Sequence, residues 1–147
     1  MNRRDVLVGA ATGAAALSLN ALAQAPAGKA APAAAAPAIN TALYDAALAC
    51  IRAGQVCLDH CVRTLSTGDK SMAECAATVR AMLPLCTATA DLAVQKSSHL
   101  KALAAVCAKA CRDCEAACKK HANHHAECKA CMESCQKCAA ECEKAAA

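Results

Sequence analysis

Along this chain, large or soft side chains recur at steps of three and four residues, the a/d spacing of a bundle helix, and no strand-like alternation interrupts them. In the C-terminal segment the repeat is carried by Cys128, Cys131, Cys135, Cys138 and Cys142, at steps of 3, 4, 3 and 4. From His124 to Ala147 there is no Leu, Ile, Val, Phe, Tyr or Trp at all. The stripe that ordinarily holds a helix to its neighbours is therefore made almost wholly of thiols.

The same seam runs upstream. Cys107, Cys111, Cys114 and Cys118 follow at steps of 4, 3 and 4, and Cys50, Cys57 and Cys61 at steps of 7 and 4. Cys75 and Cys86 are eleven residues apart, with Val79 and Met82 on the heptad positions between them. All fourteen cysteines can face one interior, which marks a shared site.

Four helices are predicted, with boundaries set by turn and capping signals. The first spans about Asn40 to Leu65 and stops at Gly68. Ser71-Met72-Ala73-Glu74 reads as a capping box opening the second, which reaches about Lys96 and carries Pro84, a residue expected to kink it. Ser98 is the expected N-cap of the third, ending near Lys120, and the fourth runs from the turn His121–His124 to about Lys144. Ala, Lys, Glu, Gln and Leu dominate these segments, all good helix formers. Short connections between four helices predict an all-α, up-down-up-down bundle with a cysteine-lined core. Its two ends differ. Leu43, Tyr44, Leu48, Leu92, Leu100 and Leu103 are placed to plug one, whereas His60, Met72, His121, His124 and His125 gather at the other. That asymmetry predicts a mouth, with His60 and Met72 the better candidate ligands and the other three histidines either solvated or ligating.

Composition narrows the rest. The 147 residues allow one domain, expected over 39–147. Residues 1–23 read as a cleaved export signal: Arg3-Arg4 precedes a mildly apolar run, Val6 to Leu19, and Ala21-Leu22-Ala23 supplies a cleavage pattern. The arginine pair looks like a twin-arginine leader, which predicts an exported, periplasmic protein. Residues 24–38 are nearly all Ala, Pro and Gly and read as a flexible linker. The run in the leader is too short and too interrupted to span a membrane, and a formal net charge of +4 with a single aromatic, Tyr44, favours neither nucleic acid nor anionic lipid.

Cysteine-rich exported chains are usually disulfide scaffolds. Helical spacing argues otherwise, because i and i+4 Cβ atoms lie ~5–6 Å apart and a disulfide needs ~3.5–4.5 Å. Only bridges across helices remain plausible. Soft thiolates select Cu(I), Zn(II) or iron–sulfur clusters. Four thiolates around each zinc leave two surplus negative charges, costly when stacked in one dry core. Cu(I) is monovalent and accepts two or three thiolates, so shared thiolates leave the interior near neutral. Cys57/Cys61, Cys107/Cys111, Cys114/Cys118, Cys131/Cys135 and Cys138/Cys142 form five Cys-x-x-x-Cys pairs suited to such an ion. The compact run that holds bacterial iron–sulfur clusters does not occur. Neither a catalytic triad nor a phosphate loop is present, and the acidic residues between the cysteines read as solvated faces, so no enzyme is expected.

On this inward ladder, its Cys-x-x-x-Cys pairs and its His/Met end, the region of about 40–145 resembles the bacterial four-helix-bundle copper storage proteins, in their exported branch. The resemblance implies many Cu(I) ions per chain, His60 and Met72 as non-cysteine ligands at the end where metal enters, protein donors or acceptors of copper, and a tetramer. The expected function is a copper reservoir or detoxification protein. Two alternatives stay open: a disulfide-stabilised exported structural protein, and a zinc–thiolate reservoir.

Overall fold

The computed structural model describes residues 38–147. The expected export signal, and the linker up to residue 37, lie outside the described residues. Four helices follow one another: α1 Thr41–Ser66, α2 Ala73–Gln95, α3 Leu100–Lys119 and α4 Ala126–Ala146. Each agrees with its predicted span to within a few residues.

The helix ends show how local chemistry set these limits. Asn40 caps α1, its Oδ1 accepting the Leu43 N–H at 3.2 Å. α1 ends where Gly68 takes a φ of +90°, a left-handed conformation that glycine adopts without cost, and donates to Leu65. Two predicted caps are not made. The N-cap of α2 is Met72 without a side-chain bond, and the Ser71 N–H is bound instead by Asp69 Oδ1 at 2.9 Å. The N-cap of α3 is His99, whose N–H donates to Ser97 Oγ at 3.2 Å, so Ser98 has no capping role. In both turns the side chain that bonds the backbone sits one or two residues earlier, in a short Asx- or Ser-type turn that leads into the helix. α2 continues as one helix through the exposed Pro84.

α1 packs on α2 and α4, and α3 packs on the same two, so the four helices enclose a square with α1 and α3 on one diagonal. All fourteen cysteines are fully buried along its axis. Few larger side chains join them: Leu43, Met72, Met82 and Val79 are the largest fully buried ones, with alanines filling most of the rest. At the predicted closed end Leu43 is buried with Ala47, Ala93 and Ala104, while Tyr44, Leu92, Leu100 and Leu103 are half-buried. Leu48 is 42% exposed and does not belong to the plug, because it falls five residues past Leu43 and has rotated off the seam.

The outside is tied by ion pairs. Arg112 on α3 grips Glu143 on α4 with two bonds of 3.0 and 3.1 Å, and Lys120 reaches Glu74 across the α2–α3 face at 2.7 Å. No described helix is long and apolar enough to cross a membrane.

Candidate metal centre

The sulfur atoms form a continuous column rather than separate pockets. Five groups can be traced along it, each with every Sγ within 4.8 Å of the others: Cys57, Cys61, Cys75 and Cys128; Cys57, Cys118 and Cys131; Cys114, Cys131 and Cys135; Cys50, Cys86, Cys111 and Cys138; and Cys107, Cys138 and Cys142. Together they use all fourteen cysteines, and Cys57, Cys131 and Cys138 each belong to two groups. The a/d pattern explains this. Four helices that turn a thiol inward at every step of three or four residues bring sulfurs from different helices to the same level.

All fourteen thiols are unbridged. Contacts between helices include Cys75–Cys118 at 3.4 Å, Cys50–Cys135 and Cys86–Cys111 at 3.6 Å, and Cys57–Cys75 at 3.8 Å. These are S–H···S distances, well beyond a covalent S–S bond of about 2.05 Å.

A dry column of thiols cannot ionise freely. Burial first, and then the neighbouring charge at Cys57, push Cys61 and Cys128 well above the ordinary thiol range. Cys50 is held far below it by hydrogen bonds, that of Cys111 foremost, and Cys57 by hydrogen bonds led by that of Cys118. The remaining protons are shared along the column by S–H···S contacts between neighbouring helices. A soft cation entering the column replaces those protons and supplies the positive charge the sulfurs lack.

At the predicted mouth the residues are arranged less simply than the sequence implied. His60 is half-buried, and its Nε2 lies 2.9 Å from His125 Nδ1 while its Nδ1 lies 3.8 Å from Glu127. His125 stacks tilted on His60 and lies edge-on to His121, whereas His124 is exposed. None of these histidines belongs to a thiol group in the column. Met72 is buried, 1% exposed, but no thiol hydrogen-bonds to it among the described residues. Sequence reasoning passed over Met82, treating it as filler on the heptad. Its Sδ accepts from Cys86 at 3.2 Å and lies 3.5 Å from Cys50 Sγ. The signal was present in the spacing, since Met82-x-x-x-Cys86 repeats the Cys-x-x-x-Cys step with a thioether in place of one thiol.

Comparison with known proteins places this geometry. The model of the copper storage protein family matches residues 37–147. The chain is similar to solved structures at TM-scores of 0.64 to 0.67. Apo copper storage protein 3 from Bacillus subtilis is 27% identical, over 73% of this chain and 98% of that one. The structure described as Cu(I)-bound copper storage protein BsCsp3 is 26% identical, over 75% of this chain and 100% of that one. A cytosolic copper storage protein from Streptomyces lividans with five coppers is 26% identical, over 72% of this chain and 90% of that one, at a TM-score of 0.66. No curated protein sequence matches the chain.

These neighbours correct one expectation. Export to the periplasm was read from Arg3-Arg4 and the run behind them, but the Streptomyces lividans neighbour is described as cytosolic. The physical reason lies in the thiols: an unbridged ladder suits a reducing compartment, where thiols stay reduced. Since the family model covers most of the chain and the column of buried thiols fits it, the chain belongs to the copper storage protein family.

Proposed function

We propose that this chain binds Cu(I) in bulk along the thiol column and serves as a copper reservoir, a role that asks for no catalytic group. One observation carries the reading: fourteen buried, unbridged cysteines grouped so that every sulfur has partners within 4.8 Å on the bundle axis. Shared sulfurs at Cys57, Cys131 and Cys138 favour ions bridged by common thiolates, which keeps the surplus negative charge of the core small. The fourteen cysteines are the ligands in this reading, with the bundle of residues 39–147 as the storing domain. His60 and Met72 serve ions at the mouth, and the mutual contact of His60 with His125 makes the pair a landing site for arriving metal. The five coppers of the Streptomyces lividans structure, and the 10 copper equivalents of another from the same organism, support a cargo of many ions.

The deciding experiment is an anaerobic titration of the reduced protein with Cu(I) against a chromophoric Cu(I) chelator. Uptake near one copper per cysteine is expected, since bridging thiolates match metals and sulfurs about one to one. Saturation after one or two ions would sink the proposal and return attention to zinc. Self-association to a tetramer, and exchange with protein donors or acceptors of copper, follow from the same reading and are measured by sedimentation of the apo and loaded forms and by copper transfer.

A further inference from the structure

Between Cys75 and Cys86, α2 presents no thiol to the column for nearly three turns; Val79 and Met82 stand there instead. Met82 is fully buried, and its sulfur is placed as a cysteine would be. Sδ lies 3.2 Å from Cys86 Sγ and 3.5 Å from Cys50 Sγ. Cys50 and Cys86 belong with Cys111 and Cys138 to one of the four-sulfur groups. Met82 therefore adds a fifth sulfur to a set that lies within the column, away from the mouth histidines.

The opposite wall is shaped to hold it there. Gly54 occupies the α1 seam position between Cys50 and Cys57. A Cβ on Gly54 would lie 2.9 Å from Met82 Cε and 3.0 Å from Leu83 Cδ2, so the side chain missing from α1 makes the space that the methionine methyl fills. With its methyl seated against Gly54, the thioether sulfur is turned between the two thiols. A seam position without a sulfur on α1 is matched by one with a long, soft sulfur on α2.

Proton bookkeeping then distinguishes a filler from a ligand. In the metal-free protein the protons shared among these thiols include the Cys86 S–H that donates to Sδ at 3.2 Å, with Cys50 Sγ 3.5 Å from the same sulfur. Loading with a soft cation removes those protons. Three sulfurs would then converge with lone pairs only, in a dry interior, unless a cation sits among them. Metal–sulfur bonds of about 2.3 Å, the length zinc makes to thiolate, put the sulfurs of a trigonal site about 4 Å apart. The present separations reach that value with small side-chain rotations, which the flexible Met82 allows. A thioether also brings no charge, so it raises coordination to three without adding to the negative charge of the core.

Resting on the copper-storage reading, we infer that Met82 Sδ, with Cys50 and Cys86, forms a mixed thioether–thiolate Cu(I) site inside the bundle. The test is selenium K-edge absorption on full-length selenomethionine protein and its Met82→Leu counterpart, each metal-free and after anaerobic loading with Cu(I), with copper uptake measured in parallel. A selenium–copper shell is expected in the loaded parent and should fall by about half in Met82→Leu, where leucine keeps the volume, removes the donor and leaves the shell of Met72 at the mouth. A Met72→Leu variant should retain a shell, which keeps the test valid if Met82→Leu does not fold. Full copper uptake by the parent with no selenium–copper shell, or a shell that Met72→Leu alone abolishes, would overturn the Met82 site and leave storage standing. Failure of the parent to take up more than one or two ions would overturn the storage reading itself.

Discussion

Thr89 sits in the α2 seam three residues after Cys86, fully buried, with a hydroxyl that has no hydrogen-bond partner among the described residues. An orphaned buried hydroxyl costs about 1–3 kcal/mol. Replacing it with valine should therefore stabilise the metal-free protein by about 1 kcal/mol. Urea midpoints of reduced wild type and Thr89→Val measure this, and a lower midpoint for the variant would mean the hydroxyl is bonded in solution. Leu43 is the opposite case. It is the largest side chain fully buried in the bundle, at the end with the fewest sulfurs, and Leu43→Ala should cost about 2–4 kcal/mol through a cavity that small neighbours cannot fill. Loss of less than 1 kcal/mol would show that end to be loosely packed. The residue scale is also where sequence reading fell short. Residue type and spacing located every cysteine of the column, yet Met82 was read as filler because a heptad position does not tell a packed sulfur from one facing two thiols. His125 was indistinguishable from its neighbours in the turn, although only the folded loop brings it to 2.9 Å from His60.

At the scale of elements, the helices differ in what holds them. α4 buries six residues, five cysteines and Ala139, so its packing depends on thiols and whatever they bind. Exchanging Cys131 and Cys135 for serine should lower copper capacity by about two ions if uptake tracks thiols. An unchanged capacity in the anaerobic titration would contradict a filled column. α2 carries a different weakness, since it closes on Lys96 in the left-handed region at φ +54°, a conformation that costs a side-chain residue roughly 1–2 kcal/mol. Lys96→Gly relieves that strain at some expense in backbone entropy, and a net gain of about 0.5–1 kcal/mol is expected in thermal melts. Element boundaries were legible because Gly68 and the polar turns punctuate the chain. The capping residues of α2 and α3 were not, because several adjacent Asp and Ser side chains can each bond a nearby backbone N–H and only loop geometry chooses which one does.

For the whole molecule, the buried column makes stability depend on pH. Nine thiols, Cys61 and Cys128 among them, are shifted upward. Four, Cys50, Cys57, Cys107 and Cys114, are shifted downward and act in the opposite sense. For a thiol raised in the folded state, stability is fully present below the unfolded value of about 8.5 and is lost as pH climbs from there toward the folded value. With the raised group in the majority, the reduced metal-free protein should melt at progressively lower temperature from about pH 8.5 upward. Cys61→Ser should flatten that slope. A melting temperature that rises through the same range would contradict the account. Copper loading should reverse the trend, because the metal binds the folded column and displaces the very protons that pH removes.

What the sequence determined by itself was the set of inward positions. The 3/4 spacing of cysteines selects helix over strand, and one shared seam on each of four segments selects a bundle whose interior is sulfur. Those conclusions need only the helical period and the softness of thiolate. Tertiary structure alone decided which sulfurs meet. The levels of the column depend on how far each helix slides along its neighbours, and spacing within one helix says nothing about that offset. It decided, too, that Gly54 and Met82 face each other across the α1–α2 contact, since a missing Cβ becomes a seat for a methyl only when another helix brings one to it.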